Sequence, residues 1–567
     1  MSTVSFHLGE LQQFVDTTGA TFSSNSIIKR LWEKDYSIWR TEDVHKKSIL
    51  NRLGWLESVE LMRQNADGLI AFAKEIRSAG FTHAVVLGMG GSSLCPDVCR
   101  ATFGSAREYP QLLVLDSTNP VSVRQIEKSV VLETTLFVVA SKSGGTTETN
   151  MFYKYFHDKV AQSKGSDAGR NFVAITDAHT QMEKIAKEKA FRKIFLNPED
   201  IGGRYSALSY FGLVPMALIG MDVLKILDSA SAMIATSKLL DLKENPSAML
   251  GVCIAEAFKA GRDKLTLIAS EEIETFNYWT EQLIAESTGK EGKGIVPIVG
   301  ETPPKDFPSD RVFVFLRLKN EKASSRLLEE KLGAAGQPMI EIVLEDEYEL
   351  GGEFFRWEFA TSIAAVILQI NPFDEPNVKE SKDNTVRVIE EFKKSGALPK
   401  QNPLAEANGL SIFCEPSYSA QLAKSTGGHS LKEFLHAHFR QCVQGDYASV
   451  LAYVDQNENN MKMLQLLRSA IGNRTSCATT LGFGPRYLHS TGQLHKGGKQ
   501  NGVFLLLTAE ESVDCKIPGE AFSFEVLKNA QAIGDYRSLA SRSLRVVRVH
   551  LGRNIKNGLD YLHSLLS

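Results

Sequence analysis

The sequence predicts an α/β protein with two doubly wound parallel sheets, a C-terminal α/β segment and an N-terminal helical arm. From residue 83 onwards, short apolar runs alternate with longer stretches of helical character. The runs are apolar at almost every position, which is typical of strands covered on both faces. The stretches between them are long enough for the helix that a parallel crossover requires.

The first 60 residues mix polar and apolar side chains and contain the helix-like segments "LWEKDYSIW" and "ILNRLGWL". We therefore expect residues 1–60 to form a helical arm. Residues 61–240 contain five strand-like runs, which predict the first parallel sheet. They are "HAVVL", "QLLVL", "LFVVA", "NFVAITD" and "RKIFLN".

A second series occupies residues 241–400, with "KLTLIAS", "RVFVFLRL" and "MIEIVLED" before the apolar helix "FRWEFATSIAAVILQI". The charged segment 379–402 ends in Gly, Pro and Asn residues, which favours a boundary near residue 400. Residues 401–567 then add "YASVLAYV", "GVFLLLTAE" and "LRVVRVHLG" and predict the C-terminal α/β segment.

The amino-acid composition narrows the classes of function that we expect for this protein. The 567 residues are 43% hydrophobic and 23% charged with a net charge of -3, which is ordinary for a soluble globular protein and lacks a basic excess for nucleic acid. Neither a secretory pattern nor an apolar run of membrane-spanning length is found, so we expect a cytoplasmic protein without a membrane partner. Seven scattered cysteines fit reduced thiols, and no spacing predicts a metal site.

Two glycine- and hydroxyl-rich loops follow strand-like runs, "GMGGSS" (88–93) and "SKSGGTT" (141–147). Ligands of parallel sheets bind outside the carboxyl ends of the strands, where helix N-termini favour anions. If the two strands are neighbours, both loops face one point and form a phosphate cup. Its candidate residues are Gly91, Ser92, Ser141, Ser143 and Thr146.

Two other interpretations stay open at this point. "GMGGSS" resembles half a dinucleotide fingerprint, with Gly88 and Gly90 in phase and Asp116 near the ribose-binding position. Ser93 at the third glycine position, and the second hydroxyl-rich loop, argue against it. Each loop also has a simpler interpretation as a Ser/Thr-rich turn that binds nothing.

Two charged residues are candidates for the chemistry. Arg204 follows a Gly-Gly turn in "IGGRYSALS", where a fixed guanidinium suits a developing oxyanion, although such an arginine is often a surface residue. Glu286 in "QLIAESTGK" ends an apolar helix pattern. Partial burial would raise its pKa and make it a base near neutral pH, whereas the simpler interpretation is a helix-end carboxylate.

Five blocks in this order resemble the glucose-6-phosphate isomerase family: "GMGGSS", "SKSGGTTET", "GGRYS", "AESTGK" and "INPFDEPNVKESK". They span residues 83–382, and the tail "GFGPRYLHSTGQLHKGG" (482–498) resembles the isomerase half of bifunctional transaldolase/isomerase proteins. The resemblance implies sugar-isomerase (SIS) type domains, a homodimer and a functional link to transaldolase.

The resemblance also implies roles for individual residues. Glu286 would move the proton between C1 and C2, Arg204 would stabilise the enediolate, and Lys382 with a histidine would open the sugar ring. Lys142 joins the phosphate contacts, and Glu148 matches a carboxylate that supports the site.

Two positions depart from the family pattern. Glu375 stands where the family has glutamine, which adds negative charge near a bound dianion. Residues 287–381 contain no histidine, so the catalytic histidine must come from elsewhere. "YLHSTGQ" nominates His489, with His495 second, supplied by the far end of the chain or by a neighbouring subunit.

The sequence therefore predicts an isomerase of glucose 6-phosphate and fructose 6-phosphate that needs no cofactor and no metal. The alternatives are a regulatory protein that binds a sugar phosphate without chemistry and a nicotinamide-dependent oxidoreductase.

Overall fold

The computed structural model describes residues 2–302, 308–321 and 326–567, which form three β-sheets flanked by helices. The strands are β1 (Thr3–His7), β2 (His83–Leu87), β3 (Gln111–Leu115), β4 (Thr135–Ala140), β5 (Phe172–Asp177), β6 (Lys193–Asn197), β7 (Lys264–Ala269), β8 (Val296–Val299), β9 (Arg311–Leu318), β10 (Met339–Leu344), β11 (Ala405–Ala407), β12 (Leu410–Phe413), β13 (Tyr447–Tyr453), β14 (Ala478–Phe483), β15 (Gly502–Thr508) and β16 (Arg545–His550).

The α-helices are α1 (Leu11–Ser24), α2 (Ile27–Trp32), α3 (Asp43–Leu50), α4 (Ser58–Ser78), α5 (Leu94–Phe103), α6 (Pro120–Ser129), α7 (Thr147–Lys164), α8 (Gln181–Glu188), α9 (Tyr210–Leu218), α10 (Val223–Ser237), α11 (Pro246–Lys259), α12 (Phe276–Thr288), α13 (Arg326–Ala334), α14 (Leu350–Leu368), α15 (Val378–Ser395), α16 (Pro416–Lys424), α17 (Leu431–Phe439), α18 (Glu458–Thr475), α19 (Gly492–Gly497), α20 (Phe524–Ser541) and α21 (Ile555–Leu566). None of the described helices has the length and apolar character needed to cross a membrane.

The first sheet has the order β3-β2-β4-β5-β6 and is parallel throughout. All five predicted strands of residues 61–240 are present, and β2 is hydrogen-bonded directly to β4. The two loops that follow these strands therefore leave the same edge of the sheet side by side. This arrangement is the one that a shared phosphate cup requires.

The second sheet has the order β1-β10-β9-β7-β8. Strands β7 to β10 are parallel, whereas β1 adds antiparallel to the edge strand β10. The N-terminal arm is therefore not helical throughout: "TVSFH" forms a strand, because its β-branched and aromatic residues suit a sheet and cover an otherwise open edge. The short strand β8 was not predicted from its four residues.

The third sheet has the order β11-β12-β16-β15-β13-β14 and confirms an α/β arrangement after residue 400. Its strands β13 to β16 are parallel, and β11 and β12 extend it antiparallel. Helix α15, which precedes the predicted boundary, packs against α20 of this segment. The predicted α/β class with parallel sheets is confirmed.

The first two sheets share one hydrophobic core. It contains Val86 and Val138 from the first sheet together with Leu265 and Val314 from the second. Separating the two sheets would expose these apolar side chains to water, at a free-energy cost of roughly 25 cal/mol per Å² of apolar area. The shared core therefore holds the two sheets together. The predicted domain boundary at residue 240 lies in the chain between these two sheets and remains a prediction.

Candidate active site

The two predicted loops and the segment after β6 form one wall of a cleft. The cleft is lined by Met89, Gly90, Gly91, Ser92, Lys142, Ser143, Thr146, Gly202, Gly203 and Arg204, among others. Gly91 lies so close to the neighbouring segment that a Cβ atom there would meet the carbonyl oxygen of Gly203 at 2.0 Å. Glycine is therefore required at position 91 for the loops to approach each other.

Hydroxyl groups of the second loop lie at the N-terminus of helix α7. Thr146 is the residue before that helix, and its Oγ1 accepts a hydrogen bond of 3.0 Å from the buried Ser141. Ser143 is exposed in the cleft, and its Oγ accepts the N–H of Gly145 at 3.3 Å. Free N–H groups at a helix N-terminus and nearby hydroxyls together suit an oxyanion. Ser141 positions Thr146 rather than lining the cleft itself.

Lys142 lines the cleft, but its ammonium is engaged elsewhere. It forms an ion pair with Asp177 and donates a 2.9 Å hydrogen bond to the carbonyl oxygen of Glu199. Burial raises the pKa of Asp177, while Lys142 acts in the opposite direction. A direct phosphate contact from Lys142, as the resemblance implies, would have to compete with this pair.

Glu286 lies in the last turn of helix α12 and is buried in the cleft wall. Its Oε2 accepts a 3.1 Å hydrogen bond from Gln282, which also donates to the backbone oxygen of His489 at 2.7 Å. Burial raises the pKa of Glu286, and the nearby Arg204 opposes that rise. A carboxylate with a raised pKa is suited to accept and return a proton near neutral pH.

Arg204 lies between two carboxylates. Its Nη1 is 3.8 Å from Glu286 Oε1, and its Nη2 donates to Glu375 Oε2 at 3.1 Å and to the carbonyl oxygen of Asp374 at 3.3 Å. The Nη1 group is buried without a hydrogen-bond partner among the described residues. An unsatisfied cationic donor beside Glu286 is available to a ligand oxygen that becomes negative.

The contact between Arg204 and Glu375 also bears on the negative charge that Glu375 adds to the site. Its carboxylate accepts a hydrogen bond from the guanidinium of Arg204 in the same cleft, and its side chain is half exposed. The added negative charge is therefore partly neutralised within the protein. It also raises the pKa of Glu286, after burial and Arg204 have acted.

His489 reaches the cleft from the third sheet, in a short helical turn after β14. Its Nε2 is 3.0 Å from Glu148 Oε1, which also accepts a 2.7 Å hydrogen bond from Gln531. Burial would raise the pKa of Glu148, but His489 and Lys382 outweigh it and the pKa is lowered. The ionised Glu148 thus orients the imidazole within a single chain, without a neighbouring subunit.

Lys382 projects from helix α15 and lines the cleft together with His489. The same two residues line an adjoining recess that also contains Glu148 and Gln531. Lys382 makes no ion pair with the part of the chain that the structure describes. Its ammonium is available to a ligand in the cleft.

Two residues considered from the sequence lie outside the cleft. His495 is buried among the rings of Tyr447, Tyr487 and Phe504, and burial holds its pKa well below the usual range. It is a neutral core residue, because burial and the positive charge of Lys496 both disfavour its charged form. Asp116 is buried and paired with Arg486 at 3.2 Å, so it does not face a nucleotide ribose.

Sequence reasoning missed several residues that orient this site. Gln282 lies one helical turn before Glu286, a spacing that places both on the same helix face. Gln531, which receives a 2.6 Å hydrogen bond from Thr118, supports Glu148 from a distant part of the chain. Asp177 and Arg52 also line the region, and no local motif marks either of them.

Residues 61–296 match the model of the family described as phosphoglucose isomerase. A protein of Methanococcus maripaludis named "Probable glucose-6-phosphate isomerase" is 28% identical over 344 residues, covering 54% of this chain and 78% of the relative. A glucose-6-phosphate isomerase of Prochlorococcus marinus (strain NATL2A) is 28% identical over 373 residues, covering 58% and 70%.

Solved structures support the fold. A glucose-6-phosphate isomerase from Chlamydia trachomatis superposes with a TM-score of 0.56 at 19% identity, covering 69% of this chain and 89% of that one. A hypothetical protein from Thermus thermophilus gives a TM-score of 0.55 at 22% identity, covering 68% and 99%. Over residues 61–296 and over the aligned parts of these distant relatives, the chain is similar to glucose-6-phosphate isomerases.

Proposed function

We propose that the protein interconverts glucose 6-phosphate and fructose 6-phosphate by metal-free acid–base catalysis through a cis-enediol. One observation carries the proposal. A buried carboxylate with a raised pKa (Glu286) lies beside an unsatisfied guanidinium nitrogen (Arg204) in a cleft whose wall consists of hydroxyl-rich loops. This set of groups suits a phosphorylated sugar that loses and regains a proton.

In the binding step, the phosphate occupies the cup at the N-terminus of α7. Ser92, Ser143 and Thr146 donate hydroxyl hydrogen bonds, and Gly91 keeps the backbone close. Charge-assisted hydrogen bonds of this kind are roughly twice as strong as neutral ones. Lys142 lies at the edge of the cup and would bind the phosphate by exchanging its ion pair with Asp177 for a phosphate oxygen.

In the ring-opening step, His489 and Lys382 move a proton between the ring oxygen and the C1 hydroxyl. Because Nε2 of His489 faces Glu148, its Nδ1 is the nitrogen that serves the sugar. The assignment of the tautomer follows from this hydrogen bond. Positioned acid–base groups contribute about 10²- to 10⁴-fold each.

In the isomerisation step, Glu286 takes the proton from one carbon and returns it to its neighbour. The Nη1 group of Arg204 stabilises the oxygen that becomes negative in the enediolate. Gln282 holds the Glu286 carboxylate by its Oε2 atom and leaves Oε1 on the side of Arg204. No redox cofactor takes part.

A coupled assay that follows glucose 6-phosphate formed from fructose 6-phosphate tests the proposal. Glu286→Gln preserves the shape of the side chain and is expected to lower kcat by at least about 10³-fold while sugar-phosphate binding survives. Glu272→Gln, an exposed change on the segment before the same helix, is the matched control and is expected to keep full activity.

The outcome separates the alternatives. Sugar-phosphate binding without turnover in the wild type would favour a regulatory binding protein, in which Glu375 limits the positive charge of Arg204. Saturable NADH fluorescence quenching would favour an oxidoreductase. A homodimer, a cytoplasmic location and a link to transaldolase remain part of the proposal, and sedimentation of the purified chain tests the first of them.

A further inference from the structure

A second cavity of about 240 Å³ lies beside helix α12 and shares no lining residue with the cleft among the described residues. One water molecule needs roughly 10–15 Å³ of such volume, so the cavity is far larger than a packing defect. Helices α5, α12 and α18 and strand β14 all contribute to its walls. We call it the α12 cavity.

The charged groups of the α12 cavity are largely satisfied by the protein itself. Arg468 donates to the side chain and the carbonyl oxygen of Thr479 and to the carbonyl oxygen of Val299. Arg486 pairs with Asp97 at 3.2 Å. An anionic ligand would therefore find few free positive charges in this cavity.

Uncharged donors and acceptors of the cavity, by contrast, lack partners. Thr275 Oγ1 is buried without a hydrogen bond among the described residues. The partly buried Tyr278 and Gln465 and the exposed Gln456 also line the cavity, and their polar ends form no hydrogen bond with the described residues. The carboxylate of Glu281 likewise accepts no hydrogen bond from the described part of the chain, and burial raises its pKa to about 7. A buried hydroxyl left without a partner, as at Thr275, is costly, so a ligand that satisfies it is favoured.

The remaining wall is apolar and includes Met461, Leu481 and Phe483. We propose that the α12 cavity binds a compact, uncharged polyhydroxylated molecule such as a cyclic sugar or cyclitol. Adjacent hydroxyls of such a ligand donate to Glu281 and to the amide oxygens, while the amide N–H groups donate back. Its C–H face packs on the apolar wall.

The α12 cavity borders the elements that carry the catalytic groups. Glu281 precedes Gln282, and Ser490, which lines the cavity, follows His489. A ligand there contacts the same helix and the same turn as the cleft does. Because the proposal concerns binding in the α12 cavity, its test does not depend on whether the protein is an isomerase.

Saturation-transfer NMR with myo-inositol and D-glucose as probes tests the proposal. Transfer to at least one probe is expected in the wild type, with a loss of about fivefold or more in Glu281→Leu and in Gln465→Ala. Glu274→Gln, an exposed glutamate of the preceding turn that does not line the cavity, is expected to keep the signal. Lys382→Ala, which alters the cleft and its adjoining recess but not the α12 cavity, is also expected to keep it.

Three results would overturn the proposal: no transfer to either probe in the wild type, transfer that survives both cavity variants, or transfer that Lys382→Ala abolishes. The last result would place the probe in the cleft. Should Glu281→Leu fail to fold, Gln465→Ala decides alone, because this side chain lies half-buried on helix α18 and supports no core contact by hydrogen bonding among the described residues.

Discussion

Replacing Arg204 by methionine tests how the cleft tunes its base. Arg204 Nη1 lies 3.8 Å from Glu286 Oε1. At an effective dielectric constant of about 20, two unit charges at this distance attract by about 4 kcal/mol, equivalent to about 3 pKa units. Glu375 shares the same guanidinium, so we expect about 1–2 units of this effect at Glu286.

The direction in which the pH profile shifts follows from the role of Glu286 as a base. Burial raises the pKa of Glu286 and Arg204 opposes the rise, so Arg204→Met moves the pKa further upward. The acid limb of the kcat/KM profile, which reports a base that must be deprotonated, therefore shifts to higher pH by about 1–2 units. Loss of the donor to the enediolate also lowers kcat by about 10²- to 10³-fold across the profile.

The assay is the coupled formation of glucose 6-phosphate, measured as a function of pH with melting temperatures recorded for each variant. Arg204→Lys keeps the positive charge and is expected to leave the acid limb within about half a unit of the wild type, although kcat falls because the planar donor is lost. An acid limb that stays in place in Arg204→Met, with the fold intact, would refute the electrostatic coupling of these two residues.

Other side chains of the cleft and its surroundings allow three more tests. His489→Ala is expected to lower kcat for glucose 6-phosphate by about 10²- to 10⁴-fold. His495→Phe is expected to keep kcat within about twofold of the wild type, because its ring lies in the core. Steady-state kinetics in which His495→Phe loses more activity than His489→Ala would contradict this expectation. Gly91→Ala forces a Cβ against a carbonyl oxygen at 2.0 Å. It is expected to lower the free energy of unfolding by about 1–3 kcal/mol and to lower activity. Gly68→Ala, whose Cβ meets nothing within 4 Å, is expected to change neither, as thermal melts and the activity assay would show. Glu375→Gln removes negative charge beside the cup and is expected to lower KM by about two- to fivefold, and an unchanged or higher KM would argue that this charge does not reach the phosphate.

Local patterns were sufficient to predict most strands and the phosphate loops. The apolar runs that became β2 and β4 have no polar face, and the loops after them carry the glycines and hydroxyls together. Parallel strands bring such loops to one sheet edge, and the pairing of β2 with β4 makes them neighbours. The cup could therefore be predicted from short segments of sequence.

Contacts between distant segments could not be predicted in this way. Strand β1 pairs with β10 more than 300 residues later, and Gln531 supports Glu148 across a similar separation. Such pairings depend on packing between sheets, which leaves no periodic signal within either segment. The burial of His495 belongs to the same class, since its ring partners come from β13, β15 and the turn before it.

Asp116 and Arg486 explain how the third sheet delivers its histidine. The sequence offered Asp116 as a ribose-binding acid, yet it lies buried after β3 and pairs with Arg486, three residues before His489. Arg486 also pairs with Asp97 on α5, so two carboxylates of the first sheet's domain hold the start of the histidine turn. Because Asp116 is buried, removing Arg486 would leave its carboxylate without a compensating charge. The turn is thus fixed at Arg486 and again where His489 meets Glu148, and between these two anchors the imidazole has little freedom to leave the cleft.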